Sequence, residues 1–333
     1  MQLSFEIFDD QSGVFCPAGE QFDALMEEFD DVLERHEMGE LSDSAYVKAL
    51  EQLIASSPDF IDGYAHLAIH WEHQGKPKKA LDIALKGLAV ANRVIPEGFV
   101  GQMEWGHLEN RPYLRAMHVA LISFIRLHRH VDAARMIELM LERNPNDNQG
   151  VRFLLGSELL RAKEPVRARS IFAAEALDYP PYYYELALSY IQDEDWEKAA
   201  TSLRKGFVSN PYIAEIFGGN SAPAPLPIWH PSNLMGAEMA NGYIQMYGRL
   251  WFQNQNNIAF MRWLFAHPQV MMERATIFAC LEELLWESNG DQRVKLAERQ
   301  RQLSAAIDDT LSKKIVIKRQ RLRGKNDWPW LLV

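Results

Sequence analysis

Cysteine is nearly absent from this 333-residue chain, which holds only Cys16 and Cys280. They stand far apart in no Cys-x-x-Cys pairing, so neither a disulfide framework nor a cysteine zinc site is expected, and a reducing cytoplasm fits. No run of 18 or more apolar residues occurs, so no membrane-spanning helix is expected. The first ten residues, Met1 to Asp10, are acidic where a secretory leader carries positive charge. Enzyme motifs are missing as well. Gly218-Gly219-Asn220-Ser221 is followed by no Gly-Lys-Ser/Thr, and neither Gly-x-Ser-x-Gly nor His-Glu-x-x-His is present. The carboxylate pairs Glu282-Glu283 and Asp308-Asp309 fit the solvated faces of amphipathic helices. The sequence therefore leads us to expect no enzyme, no catalytic residue and no cofactor.

What the chain does have is apolar mass: 47% hydrophobic and 11% aromatic residues, enough for a large or a long continuous core, which excludes disorder for most of its length. Its net charge of −10 is uneven. Residues 291–333 carry 11 Lys or Arg against 5 Asp or Glu, leaving 24 basic and 40 acidic side chains in residues 1–290. So acidic a body repels a phosphate backbone, which makes nucleic acid an unlikely main ligand except through the tail.

From Glu27 onward the chain falls into windows of about 34 residues, the period of stacked helical hairpins of the tetratricopeptide type. In the window from Ile61, the residues Tyr64, Leu67, Ala68, Trp71, Gly75, Ala80, Ala84 and Leu88 take the apolar, small, aromatic and turn positions in order. The preceding window keeps Leu50, Leu53, Ile54 and Pro58 but puts Tyr46 where a small residue belongs, so it reads as a degenerate leading repeat. An ordered insertion comes next at about residues 93–113, since Pro96, Gly98 and Gly101 cannot continue a helix. Later windows end at Pro145, Pro180 and Pro211. The expected fold is all-α: an N-terminal extension (1–26), a helical-hairpin solenoid (27–217), a Pro-rich linker (218–232), a C-terminal helical region (233–312) and a basic, Trp-rich tail (313–333). Within the helical region Asp291 to Ser312 reads as one amphipathic helix, and Pro268 ends one helix and starts the next.

The run Glu109-Asn110-Arg111-Pro112-Tyr113-Leu114-Arg115-Ala116 and the phrase Asn144-Pro145-Asn146-Asp147-Asn148-Gln149-Gly150 carry a resemblance. Together with Asn210-Pro211-Tyr212 and the Pro223–Pro227 turn, they resemble a largely bacterial subgroup of tetratricopeptide-repeat proteins, over roughly residues 60–255. The resemblance implies a scaffold rather than a reaction, with the first helix of each pair lining a concave face. Its ligand-facing positions are then His73, Arg115, His118, Arg126, Ser157, Arg161, Tyr184 and Gln192.

The Asn-Pro-Asn-Asp-Asn-Gln-Gly phrase has a structural reading, in which Asp147 or Asn148 caps the next helix and Gly150 permits close approach. It also has a functional one, in which Asn110, Arg111, Arg115, Asn148 and Arg152 clamp a carboxylate or backbone carbonyls. A positive groove floor would suit an acidic or carboxylate-bearing peptide or partner protein. Alternatively the same charges form a solvated, salt-bridged face.

His66, His70 and His73, at i, i+4 and i+7, share one helix face and offer a metal-dependent alternative. Only Glu72 stands nearby as a further ligand and it points elsewhere, so groove or interface histidines are expected in place of a metal site. The tail, Lys313 to Lys325 and then Trp328 to Val333, either docks on the body or engages a partner, with anionic lipid or nucleic acid as its other possible contacts.

Overall fold

The computed structural model describes residues 2–9, 11–19, 22–320, 324 and 326–331, and is all-α apart from two short antiparallel ribbons. Two compact units divide the chain, Met1–Glu164 and Pro165–Val333.

The first unit begins with a hairpin of β1 (Gln2–Ile7) and β2 (Gly13–Ala18), in which Phe5 faces Phe15 across the ladder. Seven helices come after it: α1 (Phe22–Glu37), α2 (Asp43–Ser56), α3 (Ile61–His73), α4 (Pro77–Asn92), α5 (Arg111–Arg126), α6 (His130–Arg143) and α7 (Arg152–Arg161). Each from α2 on packs on the helix before it, and α5 also packs on α3, so these two first helices lie side by side. The leading pair is a sound hairpin despite its irregular sequence. Ser42 Oγ accepts the Ala45 amide at 3.3 Å to open α2, and Leu25, Phe29, Leu50, Leu53, Phe60 and Leu67 share one buried cluster. Tyr46, too large for its repeat position, is accommodated by stacking on the His36 ring at 4.0 Å.

The expected insertion is ordered. Arg143 donates to the carbonyls of Phe99 and Gly101, both at 2.8 Å, while the Gly13 amide donates to Gln102 O at 2.8 Å. The Phe99 ring meets Phe5 edge-on at 5.1 Å. The β-hairpin and the insertion thus brace each other against the end of α6.

In the second unit, α8 (Pro165–Glu175), α9 (Pro181–Gln192), α10 (Trp196–Ser209) and α11 (Pro211–Gly218) continue the hairpin pattern. Two glycines show how closely paired helices approach. A Cβ on Gly206 of α10 would lie 2.9 Å from the Tyr184 ring, and one on Gly87 of α4 would lie 2.8 Å from Tyr64 Cβ, so any side chain there would push the pair apart. Asn210 joins the last hairpin to the segment that leads into the C-terminal helices. Its Oδ1 accepts the amides of Tyr212 and Ile213, its Nδ2 donates to Leu234 O and Gly236 O, and it is fully buried.

The remaining elements are α12 (Ala237–Tyr247), α13 (Arg249–Phe252), α14 (Gln255–Phe265), α15 (Pro268–Trp286), α16 (Gly290–Ala305), α17 (Asp309–Ile315), β3 (Arg319–Gln320) and β4 (Asn326–Asp327). Pro268 opens α15 after an extended His267, as its ring geometry requires. The single helix expected from Asp291 to Ser312 is instead two. It stops at Ala305 and restarts where Asp308 Oδ1 accepts the Thr310 amide at 2.9 Å, with Ile307 buried at the break. The tail docks on its own unit: Trp330, 3% exposed, lies among Phe260, Trp196 and Trp263 with centroids 4.5, 4.8 and 5.2 Å away. The cations at Arg321, Arg323 and Lys325, which belong to the basic run, lie outside the described residues.

Candidate functional site

The arginines singled out as a groove floor are engaged within the first unit. Asp62 and Glu72, each 7% exposed, stand ten residues apart on α3 and cannot hold a buried charge without a partner. Arg115 Nη1 reaches both carboxylate oxygens of Asp62, at 2.5 and 2.7 Å. Arg126 lies with Nε 2.7 Å from Glu72 Oε1, off the axis of a directed hydrogen bond, and its Nη1 donates to Glu72 O at 3.1 Å. The two pairs fasten α5 onto α3. Arg152 donates to Asp147 Oδ2 and Pro145 O, Arg161 to the fully buried Glu158, and Arg111 to Trp105 O. Glu158 also meets His130 Nδ1 at 2.8 Å.

The other expected contact residues divide by exposure. His73, Asn148 and Gln192 are exposed, while His118 is half-buried, and burial pushes its imidazole below the ordinary value against the opposing pull of Glu72 and Asp147. Asn110 is fully buried, holding β2 to the start of α5 by accepting the Phe15 amide at 3.2 Å and donating to Gly13 O at 3.0 Å. Tyr184 is interior too, its hydroxyl donating to Asn210 O at 2.6 Å. Neither side chain faces a ligand, because each already fills a packed site. Asp147 is the cap of α7, accepting the Val151 and Arg152 amides at 2.8 and 3.0 Å. Gly150 serves it by conformation rather than by close approach: its φ is 69° and no atom lies within 4 Å of where a Cβ would sit.

A cavity that the sequence did not announce opens beside this machinery. The β-hairpin and the starts of α1, α3 and α5 enclose about 480 Å³, within the range of ligand pockets. Leu3, Phe15, Phe22, Met26, Phe60 and Ile61 supply its apolar wall, with Leu108 exposed at its lip. Its charged groups are acids: Asp59, Asp62 and Glu109. Arg93 pairs with Asp59 and Arg115 with Asp62, whereas Glu109 is exposed. The Cys16 thiol also borders the cavity, and burial, then Glu6 and Glu109, push its pKa up, so it stays protonated near neutral pH.

The three histidines of α3 do not converge. His66 and His73 are separated by about 10 Å along the helix axis, at 1.5 Å per residue, too far to share one ion. His66 Nε2 lies 3.7 Å from Asp62 Oδ1 with its ring edge-on to Phe29, and burial lowers its pKa. His70, 8% exposed, turns instead to His36 of α1 and Asp43 of α2. The signal was legible, since His36 and His70 are 34 residues apart, one repeat period. The acids paired to Arg115 and Arg126 had a weaker signal: Asp62 and Glu72 precede them by 53 and 54 residues, nearly one spacing repeated. The apolar cavity had none, because its wall comes from elements far apart in sequence. Neither a protein-family model nor a curated protein sequence matches the chain.

Proposed function

We propose that this protein is a non-catalytic scaffold of the tetratricopeptide kind, acting in the cytoplasm, that holds a peptide segment of a partner protein. The observation that supports this most is the open apolar cavity of about 480 Å³ at the head of the first unit, rimmed by carboxylates. A pocket of that size receives one or two large apolar side chains, and the exposed Glu109 at its edge favours a neighbouring cation. The acidic partner expected from the arginines has less support, because Arg115, Arg126, Arg152 and Arg161 already face carboxylates of the same unit. The reading is therefore a partner segment that pairs a Leu or aromatic anchor with Lys or Arg. Free Cys16 and Cys280 agree with a reducing compartment, and the protonated thiol at the cavity agrees with binding rather than chemistry.

A peptide array read with the full-length protein tests this, comparing segments that set Leu or Phe beside Lys or Arg with the same segments carrying Asp or Glu. Retention of the basic set, lost in a Leu108→Arg/Glu109→Lys variant at the exposed lip, is the expected result. Preference for the acidic set, or equal retention by the variant, would sink the reading.

A further inference from the structure

We infer that His36, Asp43 and His70 form a binding site for a zinc-class divalent cation at the junction of α1, α2 and α3. One ligand atom from each residue lies within 4.8 Å of the other two, and no other such trio of His, Cys, Asp or Glu occurs among the described residues. Ligands at about 2.0–2.2 Å from a tetrahedral zinc lie roughly 3.4 Å from one another. The His36 Nε2 to Asp43 Oδ1 separation is 3.1 Å, so that edge is already set, and closure needs the remaining donor to move in by about 1.4 Å at most.

The neighbours hold the donors in place. His36 lies flat on the Tyr46 ring at 4.0 Å, and His70 leans on that ring at 5.7 Å and on Trp71 at 5.3 Å. Gln74 Nε2 donates to Asp43 Oδ2 at 2.9 Å, leaving Oδ1 to the site. Orientation of first ligands by such partners is what distinguishes a metal site from a chance cluster. Two imidazoles and a carboxylate suit zinc, cobalt or nickel over magnesium or calcium. Asp43 is exposed and His36 half-buried, so an ion enters from solvent and completes its shell with water. The proton that His36 Nε2 shares with Asp43 Oδ1 then passes to Nδ1 or to solvent. Because the donors come from three helices, a bound ion staples the leading hairpin to α3, which rests on no assumption about the cavity's ligand.

Calorimetric titration of the full-length, tag-free protein with zinc, after chelator treatment, tests the site. One ion per chain is expected, weakened about tenfold or more in His36→Gln and in Asp43→Asn, the first half-buried and the second exposed, with circular dichroism to check that both variants fold. His66→Gln and His73→Gln are expected to bind as the unaltered protein does. Cobalt should give the intense visible bands of a low-coordinate site, absent in His36→Gln. Lack of saturable binding at zinc concentrations up to about 100 μM (about 5–6 kcal/mol of affinity) would overturn the inference, as would zinc retained in full by both His36→Gln and Asp43→Asn.

Discussion

Each unit of the molecule contains an arginine that anchors a helix through a carboxylate, and the two are built differently. In the first unit Arg115 stands 30% exposed beside Asp62, and Arg126 is 48% exposed beside Glu72, so the pairs run along a face that water reaches. In the second, Arg204 of α10 is 2% exposed and clasps Glu273 of α15 with Nε at 2.9 Å and Nη2 at 2.5 Å. Its Nη1 donates to Asp308 O at 2.7 Å and Ser312 Oγ at 2.9 Å. The first arrangement joins one hairpin to the next; the second joins the final hairpin to helices that belong to no repeat. Burial separates them energetically, since a charge already removed from water depends wholly on its partners.

The sharpest way to break that comparison is to delete the arginines. Arg204→Ala is expected to lose about 3–5 kcal/mol of unfolding free energy, because the packing of a side chain only 2% exposed and its four hydrogen bonds to Glu273, Asp308 and Ser312 are lost together. Arg115→Ala should cost only about 1–2 kcal/mol, as solvent reaches Asp62 once the side chain is gone. Chemical denaturation of both variants measures the difference, and equal losses would end the distinction.

The helix caps extend the contrast at smaller scale. Asn210→Ala removes a cap and leaves two part-buried carbonyls without their donor, for about 2–3 kcal/mol, while Asp147→Ala removes the acceptor of the Val151 and Arg152 amides, for about 1–2 kcal/mol. Melting curves in which Asp147→Ala is the more damaging would reverse the ranking.

The smallest effect is the pH dependence contributed by two histidines of the first unit. His66 and His118 have folded-state pKa values below the ordinary histidine value, mainly through burial. The unfolded chain thus takes up protons first, and stability should fall as pH drops below about 6.5 toward the folded values. Around His66, Asp62 opposes this shift and Arg115 adds to it; around His118, Glu72 and Asp147 oppose it. Denaturation between pH 7.5 and 5 in chelator, with His66→Gln/His118→Gln as the comparison, should show a flatter profile for the variant. An unchanged slope would remove these two imidazoles from the account.

Much of the fold was legible residue by residue. Pro77, Pro181, Pro211 and Pro268 open helices because proline supplies a helical φ where no amide hydrogen is required. The expected cap at Asp147 is present, and Asp195 opens α10 in the same manner, accepting the Lys198 amide at 3.2 Å. The break at Ile307 was missed because apolar spacing runs through it unaltered, and only a buried Ile307 with Asp308 as a new cap marks the turn. Among the proposed contact residues, counting helix positions placed Tyr184 on an open face, yet Gly206 leaves the space into which its ring sinks. Position along a helix says which residues share a face; it does not say what the neighbouring helix has removed to receive them.

The sequence by itself determined the all-α hairpin pattern, the ordered insertion and the ends of most helices, since these arise from local backbone chemistry and a period of apolar and small residues. Tertiary structure alone decided where the charges go. It turned the arginines of α5 onto buried acids of α3, opened an apolar cavity under the β-hairpin, and drew His70 away from its own helix face to His36 and Asp43. The physical reason is that a buried charge or ring takes whichever partner packing brings within reach, and that partner stood one or two repeats away in the chain.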